Sequence, residues 1–254
     1  MRERLSRSSA PGARPAGISD EGEAAREVRQ MFSCIAPRYD FLNHLLSLSL
    51  DRLWRRRTAQ RFCRILERPG SRVLDLCCGT GDLTFALERA AHPEAKLLGS
   101  DFAPPMLDLA KIKARRAGRR SRFLAADALS LPFPDSSFDL VTAAFGFRNL
   151  TNYDRGLREI ARVLRPGGEV GILEFAEPRG KLMAPLYRFY FEKILPRVGG
   201  AISGSAVAYS YLPGSVARFP SPEELSALIA SAGFSGVNFE LWTFGIVALH
   251  CAKK

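Results

Sequence analysis

Residues 73–82 read VLDLCCGTGD, and this stretch decides the fold. The apolar run 73–77 predicts a short buried strand, Gly79 and Gly81 end it, and helical periodicity begins at Asp82. Glycine suits such a turn because the backbone must come close to whatever binds there. A strand, a glycine turn and a helix in direct succession form the opening unit of an open α/β sheet, which binds a ligand beyond the ends of its strands.

Strands and helices alternate from this unit to the end of the chain. The predicted strands after the first are 96–100, 121–125, 138–144, 169–175, 237–242 and 246–252. The predicted helices are 21–38 and 40–66 before the first strand, then 82–91, 105–118, 152–164, 182–201 and 222–232. This order predicts an α/β protein with a doubly wound, seven-stranded, mostly parallel sheet that follows amino-terminal helices.

The composition is that of a globular protein with one unusual property, its charge. With 46% hydrophobic and 25% charged residues over 254 positions, the chain can bury a full core, which excludes a mostly disordered or coiled-coil protein. The net charge is +11, and the surplus lies in residues 1–72 and 111–122, each of which carries +7. Such segments indicate contact with nucleic acid or with an anionic membrane surface.

The five cysteines predict neither a disulfide framework nor a metal site. Their number is odd, no two have CxxC spacing, and only three histidines could join them as zinc ligands. Small reduced cysteines suit a cytoplasmic protein. Residues 1–19 lack the apolar core of a secretory signal; their Arg, Ser and Pro content fits an organelle transit peptide as well as a disordered tail.

The residues around the glycine turn indicate the class of ligand. Asp101 lies twenty positions after Gly81, which is the spacing of an acid that binds ribose hydroxyls from the next strand. The third glycine of the dinucleotide pattern is missing, because Thr84 stands in its place. This departure argues against NAD and FAD, whose pyrophosphate needs that helix end. S-adenosylmethionine has the ribose and adenine without phosphate, and it fits better.

Three acids support a nucleoside ligand. Asp75, Asp101 and Asp127 fall at or near the carboxyl ends of consecutive predicted strands, where open α/β sheets bind their ligands. We expect Asp101 to accept hydrogen bonds from the ribose diol, Asp127 from the adenine amino group, and the Ala128 amide to donate to the ring. The cofactor sulfonium would lie by Asp75 and the glycine loop. The alternative for each acid alone is a carboxylate that caps a turn.

Four longer strings then resemble the successive motifs of class I S-adenosylmethionine-dependent methyltransferases. They are VLDLCCGTGD, SDFAPPML, AADALSLPFPDSSFDLV and RVLRPGGEVGILEF. The strings MFSCIAPRYDFLNHLLSLSLDRLWRR, AAFGFRNL and AYSYLPGSVARFP narrow the resemblance to the menaquinone and ubiquinone biosynthesis C-methyltransferase family, over residues 28–252. The resemblance implies a Rossmann-like fold and methylation of a ring carbon of a prenylated quinol. The acceptor is either a demethylmenaquinol or the methoxy-benzoquinol precursor of ubiquinone.

The resemblance also implies the site residues. Those expected to bind the cofactor are Asp75, Gly79, Thr80, Gly81, Asp101, Phe102, Met106, Asp127, Ala128 and Ala144. Those expected to act on the quinol are Arg148, Asn149, Tyr39, Asp40 and Tyr209, with Asn43 and Tyr211 as further candidates. Some ubiquinone-pathway members have Ser where this chain has Ala144, which favours the menaquinone precursor.

Arg148 is the leading catalytic candidate, as a cation that stabilises the phenolate developing on the quinol; its pKa, above about 12, makes it a poor base. The alternative is a surface arginine that pairs with Asp154. His44 is the one histidine in a segment that could line the pocket, and as a base it ranks below a water relayed through Tyr or Asp.

These inferences give one methyltransferase domain over residues 25–254 after a disordered tail, 1–24. Within the domain, 25–70 is expected to form a helical cap over the substrate and 180–220 a helical insertion that acts as a lid. The expected location is the cytoplasm, with peripheral contact at the inner membrane through the basic segments, and no nucleic-acid partner. A homodimer is compatible with the sequence. The rival functions are methylation of another phenol, a sterol or an RNA, and a catalytically silent subunit of a quinone-synthesis complex.

Overall fold

The computed structural model describes residues 12–15, 17–178 and 206–254, together with the single residues 185, 187, 189, 190 and 194. For residues 206–210 and 212 it describes the backbone alone. Residues 1–11 of the predicted disordered tail, 1–24, and most of the predicted helix 182–201 lie outside the described residues. In the rest of that predicted tail, Ala13 is buried and its amide donates to the Leu150 carbonyl at 2.7 Å, and residues 21–24 are helical. No helix within the described part is long and apolar enough to cross a membrane.

The described part contains eight α-helices and seven strands. The helices are α1 Glu21–Leu46, α2 Leu50–Arg61, α3 Cys63–Leu66, α4 Asp82–Arg89, α5 Pro104–Arg116, α6 Tyr153–Val163, α7 Ala206–Arg218 and α8 Pro222–Ser231. The strands are β1 Arg72–Leu76, β2 Lys96–Asp101, β3 Arg122–Ala125, β4 Phe138–Ala144, β5 Leu164–Phe175, β6 Ser235–Trp242 and β7 Val247–Lys253.

The strands form one sheet in the order β3-β2-β1-β4-β5-β7-β6. Strands β1 to β5 run parallel, and β7 is antiparallel to both of its neighbours. The order reverses beside β1, where β2 lies on one side and β4 on the other, and this reversal opens a crevice at the carboxyl ends of the strands. The prediction of a doubly wound, seven-stranded, mostly parallel sheet is confirmed.

The amino-terminal helices divide at a different place from the predicted one. The sequence predicts an end at residue 38, but α1 continues through Pro37 to Leu46, and the chain turns at Ser47–Ser49 with positive φ at Leu48 and Ser49. A proline inside a helix costs roughly 3 kcal/mol. Here the buried face of α1 continues across it, from Ile35 to Leu42, so packing offsets that cost.

Strand β5 also begins earlier than predicted, at Leu164 instead of residue 169. Gly167 and Gly168 are not a separate turn, because they exchange backbone hydrogen bonds with Lys254 at the end of the sheet. The pairing of β4 with β5 shifts register between Phe138 and Leu140, which accommodates the irregular segment.

Apolar side chains cover both faces of the sheet, and a third cluster positions the site. Leu74 and Leu76 pack on one face with α6 and α8, while Val73 packs on the other with α2 and α4. In the third cluster, Ile35 and Leu42 of α1 contact Met106 of α5. Helix α1 therefore lies over the carboxyl edge of the sheet, where the predicted ligand site is.

Candidate active site

The turn after β1 has a backbone conformation that favours glycine. Gly79 has φ +54° and Gly81 has φ +89°, both in the left-handed region. A Cβ atom at Gly81 would also lie 3.0 Å from the ring of Phe123 and 3.1 Å from that of Phe85. The turn brings the backbone of this segment to Asp101 at the end of β2.

Asp101 is buried and held by the backbone on both of its oxygens. Its Oδ2 accepts a hydrogen bond of 2.9 Å from the Gly79 amide, and its Oδ1 accepts one of 2.9 Å from the Ala103 amide. Burial raises the pKa of Asp101, while these amides favour its charged form and limit the rise. A carboxylate offers about four acceptor positions, so this one can accept two further hydrogen bonds.

A cleft opens beside Asp101 at the carboxyl edge of the sheet. Helix α1 forms one wall through Ala25, Phe32 and Tyr39. Of the predicted site residues, this cleft brings together Tyr39, Gly79, Asp101, Phe102, Met106, Asp127, Ala128 and Asn149. Most of the predicted cofactor residues therefore share one cavity with two of the predicted catalytic residues.

A smaller pocket adjoins the cleft, and we call it the polar pocket. Tyr39, Cys77 and Gly79 line both cavities, so the two are adjacent. The polar pocket is also lined by Arg55, Asp75, Cys78, Thr80, Asp82, Leu83 and Ala144. The predicted residues Asp75, Thr80 and Ala144 are thus separated from the larger cleft and gathered in the second cavity.

Asp75 is almost fully buried, and two hydroxyl groups donate hydrogen bonds to its carboxylate. Thr84 donates a hydrogen bond of 2.6 Å to its Oδ2, and Thr142 donates one of 3.0 Å to its Oδ1. Burial raises the pKa of Asp75 to about 7 in spite of these bonds. Thr84 is the residue in the place of the third dinucleotide glycine, so this departure from the pattern has a structural function.

Asp127 caps a turn and also lines the cleft. Its Oδ1 accepts a hydrogen bond of 2.9 Å from the Leu129 amide, which makes it a turn cap as in the alternative interpretation. It also lines the cleft with Ala128. A turn cap in this position still presents its other oxygen as an acceptor.

Arg148 is buried and is not among the residues that line the cleft. Its Nη1 lies 3.1 Å from Oε2 of Glu174 and also donates to the Phe145 carbonyl, while its own amide donates to Glu174 Oε1 at 3.0 Å. The alternative of a surface arginine that pairs with Asp154 is wrong, because Asp154 pairs with Arg158. Among the described residues, Arg148 Nε has no hydrogen-bond partner although it is buried.

Polar groups from three elements meet near Arg148. Tyr211 of α7 donates a hydrogen bond of 3.3 Å to Oδ1 of Asn149, which lines the cleft. Burial raises the pKa of Tyr39, and the positive charges of Arg148 and Arg55 partly offset that rise. The side chain of Tyr209 lies outside the described residues, although its backbone belongs to α7.

Asp40 and His44 belong to a charged cluster on the outer side of the polar pocket. Asp40 accepts hydrogen bonds from Thr80 at 2.5 Å and from Lys113 at 2.7 Å, and it does not line the cleft. His44 Nδ1 lies 2.9 Å from Asp51. The structure therefore places the predicted catalytic residue Asp40 in a contact between α1 and the glycine turn, outside the cleft.

Sequence reasoning missed four charged residues of the site, which are Arg55, Asp82, Lys113 and Glu174. Glu174 stands at the carboxyl end of β5, so the rule that identified the three aspartates applies to it as well. Asp82 follows the glycine turn directly and could have been found there. Arg55 and Lys113 lie in arginine- and lysine-rich runs, which gave no signal to separate them from solvated neighbours.

The comparisons with known proteins decide the family. Residues 20–254 match the ubiE/COQ5 methyltransferase family. The chain belongs to this family. A relative from Thermus thermophilus, named demethylmenaquinone methyltransferase, is 54% identical over 88% of this chain and 100% of its own length. A relative of the same name from Deinococcus radiodurans is 46% identical over 93% and 96%. A Geobacter sulfurreducens relative, named ubiquinone/menaquinone biosynthesis C-methyltransferase UbiE, is 44% identical over 93% and 91%.

Solved structures of lower identity show the same fold. An S-adenosylmethionine-dependent methyltransferase from Aquifex aeolicus has a TM-score of 0.57 at 19% identity and covers 77% of this chain and 88% of its own. The [4+2]-cyclase SpnF has a TM-score of 0.65 at 20% identity and covers 91% and 96%. Since a cyclase shares the architecture, these structures establish the fold alone.

The family confirms the predictions of a methyltransferase and of S-adenosylmethionine as its cofactor. The individual roles of the site residues stay predictions, which the geometry of the two cavities makes specific.

Proposed function

We propose that this enzyme methylates a ring carbon of demethylmenaquinol, with S-adenosylmethionine as the methyl donor. The observation that carries the substrate is the similarity to two relatives named demethylmenaquinone methyltransferase, at 54% and 46% identity over nearly the whole chain. Ala144, which lines the polar pocket, agrees with this branch of the family.

The residues present fit this cofactor. Asp101 has two acceptor positions left for a ribose diol, and Phe102, Met106 and Ala128 form an apolar wall for a flat base. The first residue of α4 is the acid Asp82, whose charge would repel a pyrophosphate at that helix end. A nucleoside without phosphate, with its amino-acid end in the polar pocket, matches both cavities. When bound, the cofactor supplies an electrophilic methyl group.

The residues around Arg148 support the other half of the reaction. A quinol ring carbon becomes nucleophilic as its ortho hydroxyl loses a proton, and a nearby cation stabilises the resulting phenolate. Arg148 is such a cation, its Nε is buried without a partner in the described part, and its neighbours Phe145 and Asn149 line the cleft. Tyr39, which lines the cleft, and Tyr211, which donates to Asn149, are our candidates to hold or relay the proton.

The pairing with Glu174 explains how Arg148 can be buried in its charged form. The buried carboxylate neutralises the guanidinium while no phenolate is present, which makes the buried cation tolerable. In the cleft, α1 and the aromatic side chains exclude water from the developing charge, and this strengthens the electrostatic interaction with Arg148.

The second candidate substrate is the 2-methoxy-6-polyprenyl-1,4-benzoquinol of ubiquinone synthesis. The observation that supports this second candidate is the 44% identical relative, whose name includes both ubiquinone and menaquinone. We would supply the purified enzyme with labelled S-adenosylmethionine and each reduced quinol in parallel, and measure label in the extracted quinone. We expect transfer to demethylmenaquinol. Transfer to the benzoquinol alone would replace the first substrate with the second, and binding of the cofactor without transfer to either would refute the proposal.

The proposed substrate is a lipid, and the turn between α1 and α2 offers a surface for membrane contact. Leu48 at the turn is 82% exposed and Phe41 is 61% exposed, which is unusual for large apolar side chains. We define the membrane-facing surface as the exposed residues Phe41, Leu45, Leu48, Leu53, Arg52, Arg56 and Arg57. Apolar groups beside arginines complement an anionic lipid surface.

Vesicle binding tests this surface. Each arginine near an anionic membrane contributes about 1 kcal/mol, so the triple variant R52Q/R56Q/R57Q is expected to bind phosphatidylglycerol vesicles about 100-fold more weakly. Binding of the unmodified enzyme is expected to fall with salt and to be weak on neutral vesicles. Binding that does not depend on salt, or no binding, would refute membrane contact through these arginines. The basic surplus would then serve only the solubility of the protein. The homodimer stays a prediction that light scattering tests.

A further inference from the structure

A continuous series of charged contacts joins the amino-terminal helices to the glycine turn. Arg55 of α2 pairs with Asp51, and Asp51 accepts from His44 of α1 at 2.9 Å. His44 Nε2 lies 3.7 Å from Asp82 at the start of α4. Lys113 of α5 then connects Asp82, at 2.5 Å, to Asp40, which lies on α1 again. We call this series the ionic chain.

Arg55 is the member of the ionic chain that turns inward. It is buried, it lines the polar pocket, and its guanidinium lies 5.3 Å from the centre of the Phe145 ring. Asp51 accepts the one hydrogen bond that its side chain makes within the described part of the protein. A guanidinium has five N–H groups in a fixed plane, so most of its donors remain for a ligand.

The charges around the polar pocket match a zwitterion. Arg55 is the one cationic residue among the described residues that line it, and Asp75 and Asp82 are the two acidic ones. Each acid already has partners: Thr84 and Thr142 bind Asp75, while Lys113 and His44 contact Asp82. A ligand carboxylate in this pocket would therefore meet one cation, Arg55, which has N–H groups available for hydrogen bonds.

We propose that Arg55 binds the α-carboxylate at the amino-acid end of S-adenosylmethionine. The inference rests on the proposed function only in taking this cofactor as the ligand of the two cavities. Arginine and carboxylate form paired, charge-assisted hydrogen bonds, and Asp51 holds the guanidinium in one orientation. Since Arg55 belongs to α2, the amino-terminal helices contribute directly to cofactor binding in addition to covering the substrate.

Two ligands that differ at the amino-acid end separate this role from a structural one. S-adenosylhomocysteine carries the carboxylate, whereas 5′-methylthioadenosine keeps the adenosine and lacks the whole amino-acid end. Calorimetry of both ligands on the intact enzyme and on R55M measures the contribution of Arg55. Losing a charge-assisted pair is expected to weaken S-adenosylhomocysteine about 10- to 100-fold. Methylthioadenosine is expected to change less than about twofold, because it makes no contact with the guanidinium.

Two further variants complete the experiment. R64M removes an exposed arginine of α3 and is expected to bind both ligands as the unmodified enzyme does. R55K keeps the charge without the planar fork, and it is expected to recover part of the affinity for S-adenosylhomocysteine. If R55M loses folded structure by circular dichroism, R55K with the same pair of ligands carries the test.

The outcomes distinguish the two proposals. If R55M and R55K lose affinity for both ligands equally, Arg55 is a structural residue. If neither variant loses affinity for either ligand, Arg55 does not bind the cofactor. If the unmodified enzyme binds neither ligand, the cofactor itself is wrong. If it binds S-adenosylhomocysteine through Arg55 and transfers no methyl group to either quinol, the substrate proposal fails while the assignment of Arg55 stands.

Discussion

Replacing Arg148 with methionine leaves the Glu174 carboxylate buried without its opposite charge. The Glu174 side chain is 1% exposed and that of Arg148 is 7% exposed, so water cannot replace the lost partner. Breaking a buried pair from one side costs about 3–5 kcal/mol of unfolding free energy. For a chain of this size, each 1 kcal/mol lowers the melting temperature by about 2–4 °C, so R148M is expected to melt about 6–20 °C lower.

The double variant R148M/E174Q separates stability from catalysis. Glutamine removes the unpaired buried charge at position 174. Its side-chain oxygen can still accept a hydrogen bond from the backbone amide of residue 148, as Oε1 of Glu174 does. We expect it to recover at least half of the lost stability while methyl transfer to the quinol stays at least about 100-fold reduced, since the cation that stabilises the phenolate is still missing.

The measurements are urea unfolding, calorimetry with S-adenosylhomocysteine and single-turnover methylation. Cofactor binding is expected to persist in both variants, because the hydrogen-bond partners of the Arg148 side chain, Phe145 and Glu174, are not among the residues expected to bind the cofactor. If the double variant melts as low as R148M, the stability argument is wrong. If it recovers methyl transfer along with stability, Arg148 is a structural residue and the proposed catalytic role is refuted.

Two other residues give sharp predictions. Asp101→Ala removes the carboxylate expected to hold the ribose, so calorimetry is expected to show at least about a 100-fold loss of affinity for S-adenosylhomocysteine. Arg148→Ala is expected to keep that affinity. Equal losses in the two variants would contradict the assigned roles. Burial raises the pKa of Asp75 from 3.8 to about 7, so between these values the folded state retains a proton that the unfolded state loses. Unfolding free energy is therefore expected to fall by about 4 kcal/mol as pH rises from 4 to 7 on account of this group. Urea titrations across that range are expected to show a flatter dependence in Asp75→Asn, and an unchanged slope would contradict the shift.

The sheet and its ligand edge could be predicted because they depend on short-range patterns. The apolar run 73–77, the glycine turn and the spacing to Asp101 are local, and parallel pairing then brings the strand ends to one edge. Asp75, Asp101 and Asp127 were placed at that edge from the strand ends alone, and Glu174 follows the same rule.

The ionic chain could not be predicted in the same way. Lys113 meets Asp40 across 73 positions, so this pair depends on how α1 and α5 lie over the sheet. The family resemblance implied that Asp40 acts on the quinol. The packing of α1 on Met106 decides instead that its carboxylate faces Lys113.

Helix α1 is a rod of 26 residues, about 39 Å long, with one weak point. Pro37 has no amide proton, so the Ser33 carbonyl lacks its usual partner one turn further along. The part before Pro37 carries Ala25 and Phe32 of the cleft wall, and the part after it is anchored at Asp40 and His44. A bend at Pro37 would move the half of α1 that carries Ala25 and Phe32 and would widen the cleft. Asp40 and His44 would hold the other half on the glycine turn, so the cleft would open to a lipid with the ionic chain intact.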